Sequence, residues 1–296
     1  MLDLSIIIVS YNTAEFLKKC LVSIAENVKG ISFEVIVVDN ASTDNTPLVI
    51  SGFKFPVSGF KIILNKKNVG FSKANNQGIK VSQKSRYVLF LNSDTLIQGR
   101  TIEEMIRFMD THKDVGASTC KLLLPNGKID DASHRGFPTP WNAFSHFSGL
   151  EKLFPKSNLF AGYTLGWMNP DKVHEIDALA GAFMLVRREA GEDVLWWDED
   201  YFFYGEDIDF CYKLKRKGWK IYYVPSVSIL HFKGVSGGIK SVSKQITTAT
   251  KETKIRSSKS RFNAMRIFYK KHYEDKYPKI INKIIYRAIA LKEKLS

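Results

Sequence analysis

Three polar clusters follow apolar runs in this chain, and each has side chains able to do chemistry. Ser5–Val9 runs into Ser10-Tyr11-Asn12, Phe33–Val38 into Asp39-Asn40, and Tyr87–Leu91 into Asn92-Ser93-Asp94. Amides and a carboxylate gathered at strand ends suit the base and ribose of a nucleotide, with helix N-termini for its phosphates. The plainer reading of Asn92-Ser93-Asp94 is a turn in which Asp94 or Thr95 caps the next helix. A fourth cluster, Trp196–Cys211, crowds Glu206, Asp207 and Asp209 among aromatic residues. Apolar surroundings raise carboxylate pKa values and prepare a general base. The competing reading is that these acids sit in the first turn of a helix and interact with its dipole. His231 follows an apolar stretch. It is either a satisfied structural histidine or, near Asp94, a partner in a site for Mn²⁺, which accepts mixed oxygen and nitrogen ligands.

Positioning these clusters requires a particular order of elements. The continuous apolar run Tyr87–Leu91 reads as a strand buried on both faces, Ser5–Val9 as a first buried strand, and Phe33–Val38 and Phe60–Leu64 as a second and a third strand. Between the first two, Phe16, Leu17, Cys20, Leu21 and Ile24 recur at helical spacing behind Thr13, a candidate N-cap. Asn68–Gly78, NVGFSKANNQG, is a Gly- and Asn-rich turn entering a short helix. Strand, loop, helix and strand in repetition predict right-handed crossovers and a mostly parallel sheet, which lines the polar clusters along one edge. Neither a GxGxxG fingerprint nor a P-loop is present.

Further on, Val115–Ile129 predicts a strand pair around Pro125-Asn126-Gly127. Asp131–Pro170 predicts a long loop region with short helices on the acceptor side. Asp177–Val186 has strand character with small residues at Ala180, Gly181 and Ala182, a helix starts near Glu206, and Trp219–Val224 and Ser228–His231 read as two strands. Ser241–Ser260 reads as an exposed linker or mobile loop, Arg261–Tyr273 as a helix, and the segment from Pro278 as a basic amphipathic helix. The apolar stripe of that last helix suits either an anionic membrane surface or packing on the main domain.

Hydrophobic content of 44% and charge of 25% are those of a soluble globular protein. No run of about eighteen apolar residues is present, so no membrane-crossing helix is expected. The chain opens on a strand-like stretch with no basic region or cleavage site, which argues against a secretory signal. Cys20, Cys120 and Cys211 are odd in number and widely spaced, which fits a reducing cytoplasm. Of the net charge of +14, the segment from Lys240 contributes sixteen Lys or Arg against four Asp or Glu. The body is nearly neutral and the tail is basic. No nucleic-acid-binding motif accompanies that charge, and no nucleic-acid partner is expected.

SIIIVSYN, VVDNASTDNT, NVGFSKANNQG, FLNSD, LAGAFMLV, FFYGEDIDF and His231 occur in an order that resembles inverting family 2 glycosyltransferases of the GT-A fold. The likeness is to their bacterial rhamnosyltransferase-like branch. The resemblance covers roughly Leu4 to Lys240 and extends to RIFYKKHY in the tail. It implies an α/β GT-A domain over 1–239, with a nucleotide-binding half over 1–112 and an acceptor and catalytic half over 113–239. A basic, helical extension follows over 240–296. It further implies that Asp39 holds the nucleotide base, with Ser10, Tyr11 and Asn12 lining the pocket, and that Asn68, Gly70 and Asn75 join the donor side. Asn92-Ser93-Asp94 matches the DxD metal motif with Asn92 in place of its first acid, so Asp94 and His231 are the implied ligands of Mn²⁺ or Mg²⁺. Asp207 matches the catalytic base, with Glu206 and Asp209 supporting it.

The expected reaction transfers a sugar, rhamnose first, from a dTDP- or UDP-linked donor. The acceptor is a saccharide or lipid-linked saccharide in cell-surface polysaccharide synthesis, at the cytoplasmic face of the membrane. A galactofuranosyl-, glucosyl- or N-acetylhexosaminyl-transferase, or a non-catalytic nucleotide-sugar-binding scaffold, is the alternative.

Overall fold

Apolar runs without polar alternation need cover on both faces, and the chain supplies it with helices on either side of one sheet. The computed structural model describes residues 1–55 and 59–295, so Pro56–Ser58 and Ser296, the last residue of the extension, lie outside the described residues. In chain order the elements are β1 (Leu2–Ser10), α1 (Ala14–Asn27), β2 (Phe33–Asp39), α2 (Thr46–Gly52), β3 (Phe60–Leu64) and α3 (Phe71–Val81). Next come β4 (Ser85–Asn92), β5 (Thr95–Ile97), α4 (Thr101–Thr111), β6 (Val115–Leu123), α5 (Pro140–Ser148), α6 (Leu150–Leu153) and β7 (His174–Glu175). The chain closes with β8 (Phe183–Arg187), α7 (Arg188–Asp193), α8 (Glu206–Arg216), β9 (Lys220–His231), α9 (Lys251–His272) and α10 (Lys279–Lys294).

The sheet runs β3-β2-β1-β4-β8-β6-β9-β5, with β7 against β9. Its first half is parallel, β8 is antiparallel to both neighbours, and β6 and β9 are parallel again. Successive residues feed opposite faces. Ile6, Ile8, Val35, Val37 and Leu89 pack under α1 and α4, while Ile7, Ile36, Val38, Val88 and Phe90 pack against α3, α7 and α8. Register brings the polar clusters together, since Ser10 pairs with Asp39 and Val9 with Asn92. On the far flank Thr95 pairs with His231, which sets Asp94 beside the histidine.

Asn92-Ser93-Asp94 leads into β5, so Asp94 and Thr95 cap no helix there. Trp219–Val224 and Ser228–His231 belong to the single strand β9, whose pairing with β6 slips between Val224 and Ser228, around Pro225. The turn at Pro125-Asn126-Gly127 forms, but its return arm is reduced to one bridge between Leu123 and Ile129. Asp177–Gly181 is not strand, and only Phe183–Arg187 is.

The exposed linker expected over Ser241–Ser260 is corrected from Lys251 onward, where α9 begins. Thr250 caps it by accepting a hydrogen bond from the Thr253 backbone N–H. Its buried side is made by Thr253 and Ser257 before it becomes aromatic. Phe268, Tyr269 and Tyr273 then pack with Tyr201 and Tyr212 from the acidic segment and α8. Burying such side chains is worth about 1.5–3 kcal/mol each, which holds a polar helix that would be marginal alone. The tail's first helix therefore belongs to the body. Among the described residues no helix is long and apolar enough to cross a membrane.

Candidate active site

On the nucleotide side, Asp39 is 2% exposed. Its Oδ2 accepts the Ser42 N–H at 3.1 Å, while its Oδ1 is buried with no hydrogen-bond partner. Burial raises the pKa of this carboxyl. A buried acceptor without a donor is costly unless a ligand supplies one, and an N–H on a nucleobase is such a donor. Asn12, in the left-handed region at φ 53°, spends its Oδ1 on the Thr43 N–H at 2.7 Å, and its own N–H donates to the Ser42 hydroxyl at 2.8 Å. It shapes the loop that carries Ser42. Ser10, Thr13 and Ser93 form a buried hydroxyl chain with steps of 2.8 and 2.9 Å. Thr13 thus does not cap α1, and Asp44 accepts the Ala14 N–H at 3.1 Å instead.

Asn40, singled out only as part of its cluster, knits two loops. Its Nδ2 donates to the Asn68 side-chain oxygen at 3.0 Å and its Oδ1 accepts the Val69 N–H at 3.0 Å. Gly70 sits at φ 91°, and a Cβ there would lie 2.8 Å from the Phe202 carbonyl oxygen. This position needs glycine both for its φ and for the close approach. It lets the donor-side turn dock on the acidic segment, where the Phe71 N–H donates to the same carbonyl at 2.7 Å. Asn75 stands apart, 1% exposed, with its Nδ2 donating to the Phe71 carbonyl in its own helix.

Asp94, Asp130 and His231 form the second group. His231 Nδ1 lies 2.9 Å from Asp130 Oδ2, and Nε2 lies 3.6 Å from Asp94 Oδ1. Lys233 pairs with the other oxygen of Asp130, and the Val235 N–H donates to Asp94 Oδ2 at 3.3 Å. Burial opposes the charge on His231, yet the two carboxylates push its pKa up to about 9. Burial likewise opposes ionisation of Asp94, but facing His231 and the Val235 N–H hold its carboxyl below the usual range. Among the described residues no three His, Cys, Asp or Glu side chains are grouped to hold a metal. Two are set for it. His231 Nε2 is buried without a hydrogen bond and faces Asp94, while Asp130 holds the opposite nitrogen, so Nε2 is the nitrogen a metal would take on displacing its proton. An oxygen and an imidazole donor suit Mn²⁺, with diphosphate oxygens to complete the set.

The third group opens α8. Gly205 precedes it at φ 82°, and a Cβ there would lie 3.0 Å from the Cβ of Ala264 on α9. Glu206 is buried with Oε2 unpartnered, and burial first, then the charge of Asp207, pushes its pKa up to about 8. Asp207 is 17% exposed; its Oδ2 accepts from Arg135 at 2.7 Å and its Oδ1 from the Ile208 N–H at 2.8 Å. Asp209 turns inward, accepting from the Tyr201 hydroxyl at 3.1 Å and lying 2.7 Å from His272 Nε2 on α9. The three acids thus separate. Glu206 is buried and favours its protonated form, Asp209 anchors the tail, and Asp207 is the one acid of the three that reaches the surface. No sequence pattern marks Asp130 or Arg135, charged residues at the edge of an aperiodic stretch, nor Arg256 of α9, whose guanidinium carbon lies 5.3 Å from the Tyr11 ring and 5.7 Å from that of Phe202.

A part-parallel sheet with Asp39 and Asp94 at its strand ends and Asp207 opening α8 is the GT-A type of α/β fold. The chain belongs to the family described as glycosyl transferase family 2, whose profile matches residues 5–195. It is 28% identical over 235 residues to the rhamnosyltransferase WbbL of Escherichia coli K12, across 77% of this chain and 82% of that one. It is 26% identical over 245 residues to an N-acetylglucosaminyl-diphospho-decaprenol L-rhamnosyltransferase of Mycobacterium tuberculosis, across 79% and 78%. Among solved structures, GalNAc-T7 with UDP, GalNAc and Mn²⁺ shares the fold with a TM-score of 0.57 at 14% identity, over 78% of this chain and 43% of that one.

Proposed function

We propose that this glycosyltransferase moves rhamnose, with inversion, from a dTDP- or UDP-linked donor to a hydroxyl of a lipid-linked saccharide in cell-surface polysaccharide synthesis. The observation that carries the chemistry is the division of labour at the start of α8, where Asp207 is the one outward carboxylate of three. The choice of sugar and acceptor is supported by the names of the two rhamnosyltransferase relatives.

In this mechanism Asp39 Oδ1 accepts from the base of the donor. A divalent ion held by Asp94 and His231 would neutralise charge gathering on the leaving diphosphate. Asp207 takes the proton of the acceptor hydroxyl, whose oxygen attacks the anomeric carbon from the face opposite the diphosphate. The new C–O bond forms as the bond to the diphosphate breaks, and configuration inverts. Arg135 holds Asp207 Oδ2 and so orients the base.

Attachment to the inner face of the membrane is part of the proposal. α10 buries no residue, and Ile280, Ile284 and Leu291 are exposed along one stripe among lysines. Exposed Trp141, Phe144 and Phe147 of α5 extend it, with Lys292 Nζ 5.4 Å from the Phe147 ring. Basic residues beside apolar and aromatic ones suit an anionic lipid interface.

Substituting Asp207→Asn tests the role of the base. Transfer from dTDP-rhamnose to a diphospholipid-linked N-acetylglucosamine should fall by about 10²–10⁴-fold while nucleotide binding persists. Turnover near that of the native chain removes Asp207 from the role.

A further inference from the structure

The C-terminal extension forms an open groove of about 570 Å³ that the catalytic residues do not line. Its wall includes Lys254, Lys259 and Arg261 of α9, interleaved with Ile255, and Ile239 from the preceding loop. Among the described residues none of these three cations has an acidic side chain within 4 Å, and the one acid on the groove, Glu293, is already paired with Arg266 at 2.5 Å. The Nε of Arg261 is buried with no hydrogen-bond partner.

The groove leads to the reaction centre by direct contacts. A Cβ on Gly238 would lie 2.8 Å from Lys254 Cε, and one on Gly237 would lie 2.9 Å from the Tyr204 hydroxyl. Tyr204 and Gly205 immediately precede Glu206 and Asp207. Arg261 stands one turn before Ala264, which packs on Gly205. Lys240 Nζ, 5.6 Å from the Tyr204 ring, bridges the two regions.

We propose that this groove binds the diphosphate of a lipid-linked acceptor, with Lys254, Lys259 and Arg261 as its counter-charge and Ile239 and Ile255 against the first carbons of the lipid. The proposal rests on the transferase reading and gives the diphosphate of its acceptor a binding surface on the C-terminal extension. Cations without carboxylates call for an external anion, and a guanidinium suits phosphate oxygens. Isoleucines beside them favour a phosphate that carries hydrocarbon over a free one. The end of α10 supplies Glu293 to the same groove, so the apolar stripe of that helix and the groove are neighbours.

The full chain is titrated by calorimetry with farnesyl diphosphate, inorganic pyrophosphate, farnesol and UDP. We expect farnesyl diphosphate to bind more tightly than pyrophosphate or farnesol, and to bind unchanged in the presence of saturating UDP. In the double variant Lys254→Glu, Lys259→Glu, both at exposed positions, its affinity should fall by at least about tenfold. UDP affinity should stay within about twofold of native, a difference of less than 1 kcal/mol. Equal affinity of native and variant chains for farnesyl diphosphate overturns the groove, as does its displacement by UDP, which would assign the anion to the nucleotide site. A chain that binds farnesyl diphosphate through these lysines but binds no nucleotide would overturn the transferase reading and leave the groove standing.

Discussion

Glu206 and Asp207 are adjacent, yet their surroundings give them different work. Glu206 has no partner for Oε2 and binds a proton more tightly in the folded chain than in the unfolded one. Its contribution to stability is therefore complete below the ordinary glutamate range and is lost as pH rises to about 8. We expect Glu206→Gln, which keeps the shape and removes the titration, to flatten the fall in urea midpoint across that window. A slope identical to that of the native chain would show that Glu206 ionises there at no cost. Residues of this kind were legible in FFYGEDIDF because acids among aromatics are uncommon, whereas Asp130 and Arg135 were not. Their importance comes from His231 and Asp207, far away in sequence, and only the folded sheet brings each pair together. The hydroxyls of Ser10 and Ser93 show the converse, since a motif position read toward a ligand can spend its hydrogen bonds inside the protein.

Among the elements, β1, β2 and β4 are readable because burial on both faces leaves a nearly unbroken apolar run, whereas β3 is a half-exposed edge strand marked only by Phe60, Ile62, Ile63 and Leu64. The strand β9 reads as two because Pro225 interrupts its ladder, and the first turns of α9 leave no apolar pattern because their buried side is Thr253 and Ser257. The element that most constrains the site is the turn at Gly70. Substituting Gly70→Val would put a side chain against the Phe202 carbonyl and force a β-branched residue to a positive φ. A loss of about 1–3 kcal/mol in denaturant unfolding is expected. Donor binding should weaken with it, because the same turn holds Asn40 and Asn68. Native stability in this variant would mean that the turn and the acidic segment are not docked as described.

The whole molecule divides its basic tail between two tasks. Helix α9 is packed into the body through Phe268, Tyr269 and Tyr273, whereas α10 lays Ile285 and Tyr286 against that aromatic cluster and leaves Ile280, Ile284 and Leu291 exposed. A chain ended at Tyr277 should keep its cooperative unfolding but sediment less with anionic vesicles. A chain ended before Lys240 should lose stability as well, because Tyr201 and Tyr212 would be uncovered. Equal sedimentation of the full chain and the chain ended at Tyr277 would count against the membrane role of α10. The strand-end edge, in the proposed function, binds a nucleotide sugar with Asp39 on its base. Calorimetric titration of the native chain and of Asp39→Ala with dTDP, UDP and their sugar conjugates, with and without Mn²⁺, measures that most directly. Saturable binding of one nucleotide by the native chain, strengthened by Mn²⁺, is the expected result. Affinity should fall by about 10–100-fold in the variant, the cost of a hydrogen bond to a charged group. Unchanged affinity in Asp39→Ala, or no binding of any nucleotide by the native chain, would contradict it.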